Sequence, residues 1–164
     1  MDTLSSQLVE STWREVGSLK PRTARRLMEE AAARQPALLA YVMGSTGRSR
    51  SAVQEVAVYL YYVILQMFER GASKPLSTIP ISRVERVSKR NESQMDKLTR
   101  ADERFLERAA EVQAAAQPFV VRYLAEALLE DEDSDLTDDE EGLVFLTLKT
   151  VIDLLDETGS AAAR

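Results

Sequence analysis

Residues 29–41 read EEAAARQPALLAY and residues 111–123 read EVQAAAQPFVVRY. At a constant offset of 82 they agree at Glu29 and Glu111, Ala32 and Ala114, Ala33 and Ala115, Gln35 and Gln117, Pro36 and Pro118, and Tyr41 and Tyr123. A loop follows each, and then a strongly apolar segment, AVQEVAVYLYYVILQMFER at 52–70 and DDEEGLVFLTLKTVIDLLDE at 138–157. Self-similarity at a fixed period dictates architecture before any local feature does. The expectation is an all-α helical bundle, built as a tandem internal duplication of two halves of roughly 80 residues. A pseudo-two-fold should relate the halves, with the two apolar helices near its axis. Residues 1–164 then form a single domain, with repeat 1 at about 18–71, a linker helix at about 81–97 and repeat 2 at about 99–157.

The prolines sharpen this reading. A proline ring clashes with the carbonyl four residues back and removes one backbone donor. The residue before it is pushed out of helical dihedrals. Pro36 should therefore end a helix that starts near Pro21 and runs to Arg34, and open a short helix at 36–43 that stops at Gly44. Pro118 should break the chain in the same way, after a helix capped by Thr99 and Asp102 and running to Ala116. Ser51 with Gln54 and Thr137 with Glu140 both have capping-box spacing at the start of an apolar helix. A first helix is expected at 3–16, its inner stripe formed by Leu4, Leu8, Val9, Trp13 and Val16. Another is expected from Ser82 to about Asn91, and the tail from Thr158 should fray.

The segments 52–70 and 138–157 are apolar nearly all round, which marks helices buried on two sides. Leu60 and Leu148 are the expected centre of the core. Tyr59, Tyr61 and Tyr62 with Met67 and Phe68 read as core, with a ligand-cavity lining as the alternative. Tyr41 and Tyr123 follow the two breaks, where a phenol can keep its hydroxyl bonded while its ring packs.

Composition excludes several chemistries. The chain has no cysteine and no histidine. Thiolate nucleophiles, cysteine-based zinc sites, Ser-His-Asp triads and Glu-x-x-His diiron sites are therefore out. No cofactor is expected. The acidic stretch 130–141 places Asp131, Asp133 and Asp135 at calcium-loop spacing, yet Leu136 stands where that loop needs glycine and Gly142 where it needs a bidentate glutamate. It reads as a solvated loop and a favourable helix N-terminus. GSTGRSRS at 44–51 lacks the lysine ending of a phosphate-binding loop and reads as a connector. No basic start with an apolar run suggests a secretory signal, and the longest apolar run, Val56 to Leu65, is too short to span a membrane. A cytoplasmic location is the expectation.

The net charge of −6 conceals a polarity: residues 1–100 carry +6 and residues 101–164 carry −12. Arg83, Arg86, Arg90 and Lys97 share one helical face and form the candidate partner surface. Interrupting acids and the absence of interleaved aromatics argue against nucleic acid. The expected function is a non-enzymatic interaction or scaffold module that binds another protein or self-associates. The alternative is a small-molecule binder or enzyme using a cavity between the repeats, lined by tyrosines and carboxylates.

Overall fold

Pro36 and Pro118 each stand at the first position of a helix, where a missing N–H leaves no bond unmade. The computed structural model describes residues 1–99, 116–129 and 136–162, and every regular element among them is α-helical. In chain order these are α1 (Ser6–Gly17), α2 (Pro21–Arg34), α3 (Pro36–Thr46), α4 (Ser51–Gly71), α5 (Ile81–Thr99), α6 (Pro118–Leu129) and α7 (Asp138–Ala162). Thr99, expected as a helix cap, is instead the last residue of α5, while Asp102, the helix the pair would start and the calcium-spaced aspartates lie outside the described residues.

Helices α4 and α7 pack on each other at the centre. Helix α1 lies on α4 and α6, α6 lies on α7, and α3 and α5 close the opposite side against α7, with α2 covering α3 and α4. Val53, Ala57, Leu60, Ile64 and Met67 on one stripe of α4 are buried, and so are Tyr61, Tyr62, Leu65 and Phe68 on the other. Leu148, Val151, Ile152 and Leu155 repeat this on α7, and Leu60 and Leu148 are both buried. By length and composition α4 could cross a membrane, but more than half of its apolar window is buried against its neighbours.

Both prolines pose the same physical problem: backbone polar groups inside the protein must find partners. The two glutamines preceding the prolines supply them. Gln35 is 2% exposed and Gln117 1%. The side-chain amide of Gln35 donates to Ser77 O at 3.0 Å, and its oxygen accepts from Ile79 N–H at 3.0 Å. Gln117 donates to Asp2 O at 3.2 Å and accepts from Leu4 N–H at 2.9 Å. Each amide thus clasps residues n and n+2 of an extended segment that leads into another helix. A threonine in each segment adds a third bond. Thr78 donates to Arg34 O at 3.2 Å and Thr3 to Ala116 O at 3.4 Å. Leu4 also fills the space beside Gly71, where an added Cβ would lie 2.1 Å from its Cδ2.

Several expected boundaries need correction. Helix α3 runs through Gly44 to Thr46, because Gly44 keeps helical dihedrals and the buried Thr46 hydroxyl bonds Val42 O at 2.9 Å. Ser51 caps nothing: Arg50 is the cap residue, and Gln54 instead donates to Thr46 O at 3.1 Å. The Thr137 and Glu140 box does form, at 2.9 Å and 3.4 Å. Helix α5 continues past Asn91, whose amide is held by Asp153 at 2.8 Å and Thr150 at 3.2 Å. The tail stays helical to Ala162, with Thr158 buried and bonded to Leu154 O at 2.7 Å. Trp13 is not core, because the buried stripe of α1 is Val9, Thr12 and Val16.

Arg50 closes the first loop onto the second half of the chain. It grips Glu140 with two bonds of 3.0 and 2.7 Å. The arginine and then the Thr137 N–H hold the Glu140 carboxyl down at about 2. Its folded value lies below its ordinary one, so its contribution to stability is present above about pH 4.5 and is lost as pH falls toward 2. The melting temperature of Glu140→Gln should therefore fall less steeply than wild type over that window; an unchanged slope would contradict the pairing. Truncating Gln35 or Gln117 to alanine should cost about 1–3 kcal/mol each in urea melts, the penalty for orphaning buried backbone groups. A loss below about 0.5 kcal/mol at both sites would mean that water replaces the amides.

Candidate aromatic groove

Five large apolar side chains stand exposed among the described residues: Trp13, Met43, Tyr59, Ile81 and Phe119. Two of them, Tyr59 and Phe119, each share a depression with a third, Trp13. Trp13 on α1 and Tyr59 on α4 are each 40% exposed, and Phe119 on α6 is 39%. Scattered exposed apolar residues are ordinary, whereas a cluster drawn from three helices marks a binding surface.

Tyr123 of α6 holds the cluster together. Its ring stacks on Trp13 with centroids 6.4 Å apart and planes 20° from parallel. On one side of this stack Trp13, Val56, Tyr59, Leu60, Tyr123 and Ala127 line a groove of about 530 Å³, with Glu55 and Glu126 beside them. On the other side Val9, Trp13, Phe119 and Tyr123 line a second depression of about 460 Å³, with Glu10, Arg122 and Glu126. These volumes fall in the range of ordinary ligand pockets.

Aromatic faces carry negative charge density and attract ammonium and guanidinium groups. The molecule already provides an example: the Arg14 guanidinium lies 5.6 Å from the Trp13 ring centroid while pairing with Glu10 at 2.5 Å. Glu126 pairs with Arg122 at 2.7 Å. Glu55 is exposed and makes no ion pair among the described residues. Burial raises the Tyr59 phenol, and burial followed by the neighbouring Tyr59 raises that of Tyr123. Both therefore remain neutral donors near neutral pH.

The candidate basic surface on α5 is arranged differently. Arg83 pairs with Glu157 of α7 at 3.2 Å, and Arg90 reaches Glu157 at 3.0 Å and Asp153 at 3.7 Å. These two cations fasten α5 to α7. Arg86 is exposed, and the side chain of Lys97 lies outside the described residues. In the first connector Arg50 is committed to Glu140. No group of three or more carboxylates that could hold a metal occurs among the described residues.

Tyr59 was expected in the core and is instead exposed, and the meeting of Tyr59 and Tyr123 with Trp13 was not legible in the sequence. The groove joins helices from distant parts of the chain. Local patterning put Trp13 in the inner stripe of α1, whereas the structure buries Thr12 in its place. Comparison of the chain with protein-family models, with curated proteins and with solved structures gives no match.

Proposed function

We propose that this chain is a non-enzymatic interaction module whose aromatic groove receives an arginine- or lysine-bearing segment of another protein. The observation that carries this reading is the gathering of Trp13, Tyr59 and Phe119, exposed, around Tyr123 and beside the carboxylates of Glu10, Glu55 and Glu126. Aromatic side chains and few unpaired cations are what the centre of a protein-binding surface offers. The absence of histidine and cysteine from the chain supports a binding role over a catalytic one.

We further propose that the bundle is a tandem duplication with a pseudo-two-fold axis passing between α4 and α7. The paired clasps support this, because each glutamine holds the segment that leads into the other half's first helix. They also favour a wider repeat than the glutamine-proline match alone suggests. Thr3 and Thr78, and with them α1 and α5, become counterparts at an offset of 75. On that alignment Trp13 corresponds to Ser88, and Tyr123 to Tyr41. Ser88 Oγ lies 3.3 Å from Tyr41 Oη and donates to Glu92 at 2.8 Å. One half thus presents an open aromatic groove where the other closes a hydrogen-bonded seam.

The second reading, a small-molecule binder, is favoured by the volume of the groove and by its tyrosines and carboxylates, which come from both halves. A single experiment separates the two. Trp13 is the sole tryptophan, so its fluorescence reports on the groove. Peptides selected from a random library on the immobilised protein should be enriched in arginine or lysine, should change Trp13 emission saturably and should lose at least tenfold in affinity to Tyr59→Ala with Glu55→Gln. Choline binding that matches or exceeds the peptides, with the same dependence, would establish the small-molecule reading. Selected peptides that are acidic or indifferent to both substitutions would contradict a cation-binding groove.

A further inference from the structure

The two depressions beside the Trp13 and Tyr123 stack differ in whether their carboxylates are taken. In the one lined by Tyr59, Glu55 makes no ion pair among the described residues. In the one lined by Phe119, both carboxylates already hold an arginine of the chain itself. Glu10 holds Arg14 at 2.5 Å, and Glu126 holds Arg122 at 2.7 Å. Arg14 does more than pair: its guanidinium carbon lies over the Trp13 ring, 5.6 Å from the centroid. An arginine is thus seated between an aromatic face and a carboxylate, at the rim of a depression walled by Val9, Phe119 and Tyr123.

This seating suits a guanidinium better than an ammonium. A guanidinium is flat and delocalised, so it lies against a ring while donating N–H groups in its own plane to a carboxylate. A lysine ammonium is a strongly hydrated point charge and must give up water to do the same. The occupant is also loosely held. The side chains of Arg14 and Glu10 are 65% and 56% exposed, and exposed pairs one helical turn apart contribute little. The buried stripe that fixes α1 is Val9, Thr12 and Val16, so the guanidinium can swing away without disturbing the helix.

We propose that the depression lined by Glu10, Trp13 and Phe119 is an arginine site, and that Arg14 is its built-in occupant, displaced when an arginine of the partner enters. The inference rests on the cation-binding reading of the groove and narrows it, at this depression, from any basic residue to a guanidinium. An incoming arginine replaces one guanidinium with another and gains no net ion pair. Arg14 therefore lowers the apparent affinity by the fraction of molecules in which it has left the site. One exposed ion pair with one ring contact corresponds to a factor of about five.

Three pentapeptides, identical except for a central arginine, lysine or neutral citrulline, provide the test when titrated into the full chain with the Trp13 indole N–H followed by NMR. Arg14→Gln should bind the arginine peptide about fivefold more tightly than wild type does. Its gain for the lysine peptide should stay below about twofold, because an ammonium fills the vacated place poorly. Adding Glu10→Gln should remove the gain for arginine. Arg86→Gln on α5 changes the net charge equally and should leave every affinity within about twofold, as expected of a screened charge outside the site. No tightening in Arg14→Gln, an equal gain for lysine, a gain that survives Glu10→Gln, or the same gain in Arg86→Gln would overturn the built-in occupant and leave the cation-binding groove standing. If the arginine and lysine peptides bind wild type and Arg14→Gln no better than the citrulline peptide, the groove reading fails and this inference with it.

Discussion

A proline in the interior of a helical bundle creates a local demand for hydrogen-bond partners, and the fold depends on how that demand is met. Pro36 and Pro118 cannot donate, and the residues before them leave helical dihedrals. Here the preceding glutamine turns inward in both cases and uses its amide as a surrogate peptide group. It binds a carbonyl and an N–H two residues apart on an extended strand of chain. The same bonds fix where α1 and α5 begin. Those two helices in turn determine what α4 and α7 pack against. A side-chain amide pairing with backbone in a dry environment is worth little net when made, but is costly to lose once both sides are buried.

The clasps also join parts of the chain that are far apart in sequence. Leu4 is held at its N–H by Gln117 and at its side chain by the space left at Gly71. Gln117 makes a third bond, to Asp156 of α7 at 2.7 Å, so the start of α6, the lead-in to α1 and the central helix α7 meet in one cluster. Ion pairs add a second layer at the surface. Arg34 with Glu69, Arg70 with Glu15 and Arg50 with Glu140 each join elements distant in the chain. Exposed pairs of this kind contribute modestly to stability, yet they define which helices lie side by side.

Much of the helical layout was legible in the residues themselves. Pro21, Pro36 and Pro118 mark helix starts for steric reasons that no tertiary context removes, and the range Pro21–Arg34 follows from them directly. The Thr137 box was legible because both of its partners lie within one turn. The Ser51 box has the same spacing but fails, because Gln54 finds a nearer acceptor at Thr46 once α3 has run past Gly44. Glycine permits a helix stop without enforcing one. The groove was legible only in fragments. Local patterning assigns Trp13 to the inner stripe, and only the packing of α1 against α6, decided by the clasp at Leu4, leaves its ring outside on Tyr123. The basic row of α5 was visible as a row, but not its ion pairs with Glu157 and Asp153, residues more than sixty positions away.

Native-state hydrogen exchange at two backbone amides tests the clasp most directly. Leu4 and Ile79 lie outside every helix, so a loop in ordinary solvent contact would exchange their protons quickly. If Gln117 and Gln35 hold them as described, both amides should be protected to a level approaching that of the α4 and α7 core, and should lose this protection selectively when the facing glutamine is changed to alanine. Rapid exchange at both positions in the wild-type protein would contradict the clasp and, with it, the interlocked arrangement of the helices.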